Sequence, residues 1–387
     1  MTEKLYDKDS HIREFSANII KCEQFGEKYA VVLDRTAFFP EGGGQFSDRG
    51  FIADSEVIDV QEKNGEIIHY TNLPVQVGAS VKCTLDWKRR FRCMQNHTGE
   101  HIIVGLIHNM YGFNNVGFHL GEDDVTFDID GELTRKQLDE IEYSANEAVA
   151  KNVAVTAEYP SSEELQKMTY RSKLKLTENV RIVTVDGYDK CACCAPHVSR
   201  TGEIGMIKIL DFMRYKGGIR AHIACGFDAL SDYNRKYRSI QKIAESLSSK
   251  QDEAAQAFDR LYEEYENQKH EIVALKTDIF KLKSERINNT IGNLCLFEDK
   301  SDSAALRNYA NMLVSKCSGV CAIFAGNDKD GYNYVMASKN VNLRENAKKI
   351  NTALNGKGGG SADMLQGSAM CEKLKIQQYF DTNEVWE

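Results

Sequence analysis

The sequence predicts an α+β protein in four consecutive parts, and three observations carry that prediction. Up to residue 85 the chain runs in short alternating apolar and polar stretches separated by turn residues. From 86 to 231 helical and strand-like periods are mixed. From 232 to about 288 the chain has no Gly or Pro and is dense in Lys, Glu, Gln and Ala, and after it comes a Gly-rich β/α segment. The expected organisation is therefore a small β-barrel-like domain (1–85), an α+β domain (86–231), a coiled-coil helical segment (232–290) and a C-terminal Gly-rich α/β domain (291–387).

In the first part the strands are read at 29–33, 51–53, 57–60, 66–70 and 81–85, with Asn64-Gly65 as a hairpin turn. Between two of them lies Pro40-Glu41-Gly42-Gly43-Gly44-Gln45, which is unsuited to regular strand and reads as a special loop. The second part opens with a helix expected over 92–111, packed through Ile102, Ile103, Leu106 and Ile107. A strand is expected over 125–130, a Thr134-capped helix runs through Leu138, Ile141 and Ala145, and strands follow at 180–185, 206–212 and 219–225.

In the third part Leu261, Tyr265, Gln268, Ile272, Leu275, Ile279 and Leu282 step by alternating fours and threes, the seam of a coiled coil. One rod, a helical hairpin and a helix packed on its own domain all fit that pattern, and Gln268 is a polar seam residue suited to fixing register. The fourth part has strands near 320–324 and 334–337 and a helix over 342–354. The run Asn355-Gly356-Lys357-Gly358-Gly359-Gly360-Ser361 lacks the ending of a P-loop, which leaves close backbone approach, an anion or a dimer contact as its uses.

Composition sets outer limits. With 42% apolar and 27% charged residues the chain is that of a globular protein, with nothing approaching a membrane-spanning run. The polar first residues lack an apolar leader, which reads as cytoplasmic. Eleven cysteines, an odd number, then read as thiols and ligands rather than a disulfide framework. A net charge of −8 counts against a general nucleic-acid binder. Local basic sets remain: Lys88, Arg89, Arg90 and Arg92, and more loosely Lys208, Arg214, Lys216 and Arg220, each as fit for a solvated surface as for a phosphate.

The chemistry centres on two pairs of residues with the same spacing. His97 and His101 are four apart on the expected helix and so share a face. Cys193 and His197 repeat the interval, and a His/His/Cys/His set suits tetrahedral zinc. Cys191 and Cys194 are close enough to compete for the metal, though small buried thiols are their plainer reading. His97-Thr98-Gly99-Glu100-His101 also matches the H-x-x-E-H motif of inverted zinc peptidases, with Glu100 as base, but that reading leaves Cys193 and His197 without a role.

Asn96 to His101 resembles the H-T-x-x-H signature of the alanyl-tRNA synthetase editing domain. Ala192-Cys193-Cys194-Ala195-Pro196-His197-Val198, followed by Thr201-Gly202-Glu203-Ile204-Gly205, resembles that family's A-C-G-G-T-H-V and T-G-E-I-G. Thr36-Ala37-Phe38-Phe39-Pro40-Glu41-Gly42-Gly43-Gly44-Gln45 with Asp48 and Gly50 is similar to its T-x-F-Y-P-x-G-G-G-Q and D-x-G loop. Gly217-Gly218-Ile219-Arg220 is similar to its G-x-R-R-I strand, and 356–367 resembles the Gly-rich motif of the synthetase's C-terminal domain. The blocks occur in the family's order over nearly the whole chain, with no room before the barrel for an aminoacylation domain. Cys194-Ala195-Pro196 departs from the usual Gly-Gly-Thr.

The resemblance implies a free-standing trans-editing factor that hydrolyses tRNA(Ala) mischarged with serine or glycine, with zinc on His97, His101, Cys193 and His197. On that footing Thr36 is the candidate for recognising a seryl hydroxyl. Gln45 is a candidate for holding the ester or a water, or for bracing its loop. Glu100 is a candidate base or a solvent-facing helical residue, and His119 a pocket residue or a structural one. The C-terminal domain is expected to add tRNA affinity, a homodimer contact, or both.

Overall fold

The computed structural model describes residues 2–122, 124–172 and 179–382. The chain forms two compact units, Met1–Gln241 and Lys242–Glu387.

In the first unit six strands, Glu14–Phe25, Lys28–Leu33, Gly50–Ile52, Ser55–Lys63, Glu66–Thr71 and Ser80–Leu85, close into a barrel. Alternation, with a bulge between Val57 and Asp59, sends Val31, Leu33, Ile52, Val57, Val60, Ile67 and Cys83 inward, where Phe38 and Phe39 complete the core. Ala195, from a much later segment, is fully buried in that same core.

The histidine helix begins earlier than its apolar period suggests. Asp86 accepts a hydrogen bond from Arg89 N and caps a helix that runs Trp87–Tyr111, and Gly112 ends it in the left-handed region at φ 74°. Nearly every residue from Cys93 to Val104 is buried, so this is a central helix rather than a surface one. Against it packs a four-stranded antiparallel sheet ordered Ile207–Tyr215, Gly218–Cys225, Val125–Ile129, Asn115–Leu120. The helix Arg135–Lys151, with a full capping box at Thr134 and Gln137, contributes Leu138, Ile141, Ala145 and Ala148 to the same core. A separate three-stranded sheet, Val155–Glu158, Ile182–Val185 and Asp189–Ala192, delivers the cysteine segment.

In the first basic set Arg89, Arg90 and Arg92 make contacts within the fold, while Lys88 is exposed. Arg90 is fully buried, with its guanidinium on Asp48, Ala37 O and Ser10 O. Arg89 reaches Ser47 O and Glu122, and Arg92 reaches Asp228 and Gly121 O. A guanidinium at the start of a helix that becomes internal must find partners inside, so the buried Arg90 is not available to a phosphate. In the looser set Lys208 pairs with Glu142, and Arg220 with Asp128.

The helical region is broken. Phe227–Ser246 and Ala254–Arg286 are separate helices, which rules out a single rod. The seam residues Leu261, Tyr265, Ile272, Leu275, Ile279 and Leu282 are all exposed in the single chain. In the second unit, the sheet runs Leu294–Glu298, Cys321–Asn327, Gly331–Ala337, Met364–Ala369, Gly356–Gly360, with only its first pair parallel. Phe280 of the long helix stacks on Tyr309 at 4.3 Å over one face, and Leu343, Ile350, Ile376 and Phe380 cover the other. The Gly-rich run is an edge strand, not a loop. A Cβ at Gly358 would lie 2.0 Å from Tyr334 Oη, so the glycine makes room for that tyrosine. Among the described residues no helix is long and apolar enough to cross a membrane.

Candidate metal centre and the cavity beside it

His97 and His101 leave the central helix one turn apart, and the segment after Ala192 brings Cys193 and His197 to them. One ligand atom from each of the four lies within 4.8 Å of the others, a group able to hold a metal ion. Cys193 Sγ is 3.6 Å from His97 Nε2 and 3.4 Å from His197 Nε2. The turn carrying the two late ligands is fixed from both sides. Arg181 Nη1 donates to Cys193 O and Ala195 O, and the Ala195 and Pro196 side chains are buried. The departure from Gly-Gly-Thr thus has a packing reason at two of its three positions.

Each imidazole is also held at its other nitrogen. His97 Nδ1–H donates to Gln45 Oε1 (2.9 Å), His197 Nδ1 lies 3.0 Å from Thr98 Oγ1, and His101 Nδ1 meets Asp189 Oδ2 at 2.9 Å. The last is an ion-pair approach, off the ring's hydrogen-bonding line. For His97 and His197 the hydrogen bond at Nδ1 leaves Nε2 as the ligating atom.

The donor chemistry fits a borderline metal. Burial resists ionisation of Cys193, but His97, His197 and His101 hold its thiol well below the usual range, in the thiolate form a metal takes. Burial pulls the His197 ring down to about 3, leaving it neutral. Burial also opposes charge on His101, yet Asp189 and Cys193 carry it well above the ordinary value, so a metal ion there would take the place of a proton. Burial raises the thiol of the half-buried Cys191, whereas Cys194 is exposed and so is not the small buried thiol its sequence position suggested. Cys191 lies beside His101 and Asp189, while Cys194 Sγ faces Gly43. Buried thiolate and neutral imidazole together suit zinc.

The cluster opens on a cavity of about 1050 Å³, whose wall includes His97, Glu100, His101, Phe118, Asn115 and Cys193. Glu100 is not solvent-facing: it is 3% exposed and accepts a short hydrogen bond from Asn115 Nδ2. Gln45 reaches the centre because its loop lies on the strand Asn115–Leu120, where Leu120 N donates to Gly44 O. Gly44 has φ +85°, and a Cβ there would come within 2.5 Å of Phe118 O, so only glycine fits. Among the described residues Gln45 Nε2 is buried with no hydrogen-bond partner.

Two sequence candidates are placed elsewhere. Thr36 is fully buried, accepts from Phe38 N and lies 2.8 Å from His69 Nε2, and it is not part of the cavity wall. A hydroxyl engaged in that way is not open to a substrate side chain. His119 is exposed, while its neighbour Phe118 faces His97 with ring centroids 4.7 Å apart, as the alternation of a strand requires. Asn115, Phe118, Asp189 and Arg171 were not singled out from sequence. Asp189, four residues before Cys193, carried a faint signal, and the others none.

Residues 8–89 match the model for class II (A) tRNA synthetases, 180–242 the threonyl and alanyl tRNA synthetase second additional domain, and 288–377 the DHHA1 domain. The chain is 30% identical to the alanyl-tRNA editing protein AlaX-L of Pyrococcus horikoshii, over 98% of this chain and 97% of that one. It is 25% identical to the alanyl-tRNA editing protein Aarsd1-A of Xenopus laevis, over 96% and 95%. With the alanine–tRNA ligase of Pyrococcus abyssi it shares 30% identity over 95% of its own length and 42% of the ligase.

Proposed function

The chain belongs to the AlaX-type alanyl-tRNA editing proteins, and from that premise we propose that it clears seryl and glycyl esters from tRNA(Ala) at the cavity beside His97, His101, Cys193 and His197, with zinc as the metal. It is an aminoacyl-tRNA hydrolase, releasing free amino acid and tRNA.

The reaction adds water to the ester carbonyl and breaks the bond to the terminal ribose oxygen. It needs a proton acceptor for the water, donors for the developing oxyanion and a fixed acyl group. Zinc held by His97, His101, Cys193 and His197 would supply positive charge and Lewis acidity at the cavity wall. Glu100 is the base candidate, since its carboxylate is in the cavity wall and oriented by Asn115. Gln45 orients His97 through Oε1. Phe118 supplies an apolar wall against His97.

The observation that carries the reading is one cavity bordered both by the metal-ligand group and by a buried, oriented carboxylate. The peptidase reading is not favoured, since the group takes Cys193 and His197 in place of a glutamate ligand. The C-terminal unit is assigned to tRNA affinity, and the exposed seam Leu261–Leu282 to a homodimer contact. The decisive assay follows deacylation of seryl-, glycyl- and alanyl-tRNA(Ala) with Cys193→Ala alongside. Loss of the first two esters, sparing the third and abolished by the substitution, supports the reading. No cleavage despite metal and tRNA binding rejects it in favour of a binding module.

A further inference from the structure

Asp189 opens the strand Asp189–Ala192, and its side chain is only 2% exposed. It is gripped from two directions. His101 Nδ1 stands 2.9 Å from Oδ2, and on the other side Arg171 donates from Nε to Oδ1 (2.7 Å) and from Nη2 to Oδ2 (2.8 Å). Two local features make that meeting feasible. Gly105 lies one helical turn beyond His101, and a Cβ there would sit 2.5 Å from Tyr188 O and 2.7 Å from Asp189 Cβ. The absence of a side chain thus lets the strand close on the helix at the height of the ligand. Arg171 is itself pinned along the strand, its N donating to Lys190 O and its O accepting from Ala192 N.

We propose that Arg171 and Asp189 act as a paired clamp that positions His101 as a metal ligand, so that the chain segment carrying Arg171 sets how tightly the metal is held. The proposal rests on the reading of His97, His101, Cys193 and His197 as a metal site. The Asp189 carboxylate, 2.9 Å from Nδ1, steadies that edge of the ring through charge and leaves Nε2 as the edge turned to the other ligands. A carboxylate this deeply buried needs a second partner, and the guanidinium fork supplies two parallel bonds that stop it rotating away from His101. Arg171 is therefore a positioning residue acting through Asp189. Neither residue contributes a ligand atom to the four-donor group.

The test is metal binding, read without substrate. The full chain is stripped with a chelator and titrated with Zn2+ against a chromophoric competitor, then with Co2+ followed by visible absorption. Asp189→Asn is expected to weaken Zn2+ binding by about 10- to 100-fold and to shift the Co2+ bands. Arg171→Met is expected to weaken it in the same direction, and Arg171→Lys to fall between, because an ammonium restores charge without the fork. Far-ultraviolet circular dichroism of the stripped proteins checks folding, and Arg171→Lys carries the test if Asp189→Asn does not fold. Parent-like affinity and spectra in Asp189→Asn and Arg171→Met overturn the clamp while leaving the metal site standing. Failure of the parent to take up Zn2+ is a different result, which overturns the metal reading beneath it.

Discussion

Gln45 and His97, 52 positions apart, meet at 2.9 Å through Oε1 and Nδ1, and this contact joins the Gly-rich loop to the histidine helix. It makes Gln45 a brace for a ligand. Gln45→Ala should lower deacylation by about 10- to 100-fold. Single-turnover kinetics on seryl-tRNA(Ala) give the answer, and a rate equal to the parent's would remove Gln45 from the site.

Glu100 is buried in the cavity wall and oriented by Asn115, an arrangement suited to a general base. Glu100→Gln should reduce kcat by about 10²- to 10⁴-fold while Zn2+ affinity stays near that of the parent. Asn115→Ala should produce a smaller loss in kcat. An unchanged kcat in Glu100→Gln would move the base to another group.

The barrel should be acid-sensitive through His69. Burial holds this ring down to about 4, opposed in part by its bond to Val31 O, and Thr36 lies against its Nε2. Between the ordinary 6.5 and about 4, the unfolded chain binds a proton that the folded barrel refuses. Its contribution is therefore full above pH 6.5 and lost as pH falls toward 4, about 3 kcal/mol across that window at 1.36 kcal/mol per pH unit. Urea midpoints at pH 7 and pH 5 for the parent and His69→Gln check this. The variant should show the shallower acid loss, and equal slopes would exclude His69 as the source.

Arg90 and Asp48 form a buried ion pair, so removing one partner leaves a charge stranded. Arg90→Met should destabilise the first unit by about 3–5 kcal/mol. By contrast, the salt dependence of tRNA binding should not change, because this arginine makes no phosphate contact. A shallower salt slope in a folded variant would restore the sequence-based view of Arg90.

If the seam on Ala254–Arg286 joins two copies, charges placed on it should separate them. Sedimentation of Ile272→Glu/Leu275→Glu is expected to give a monomer where the parent gives a dimer. A monomeric parent ends the proposal.

The ligand group was legible because spacing alone carries it: the helical interval puts His97 and His101 on one face, and Cys193 and His197 repeat it. The Gly-rich loop was legible as special, and Gly44 against Phe118 O shows why. What stayed hidden depends on distant parts of the chain meeting. Nothing near Arg90 announces that its partner is Asp48, and nothing near Arg171 points to Asp189. A motif position says nothing of which way a hydroxyl turns, and that of Thr36 lies against the buried His69. His119 was misplaced by one residue of strand alternation, the smallest shift that reverses a face.

Ala195 lies in the barrel core, while Cys193 and His197 on either side of it belong to the metal-ligand group. Three neighbouring residues thus serve both halves of the first unit at once. Metal release and barrel melting should accordingly be cooperative, a single thermal transition that a chelator shifts downward as a whole. A barrel cut free at residue 85 would then lack a plug for its own interior, so the site and its scaffold stand or fall as one folding unit.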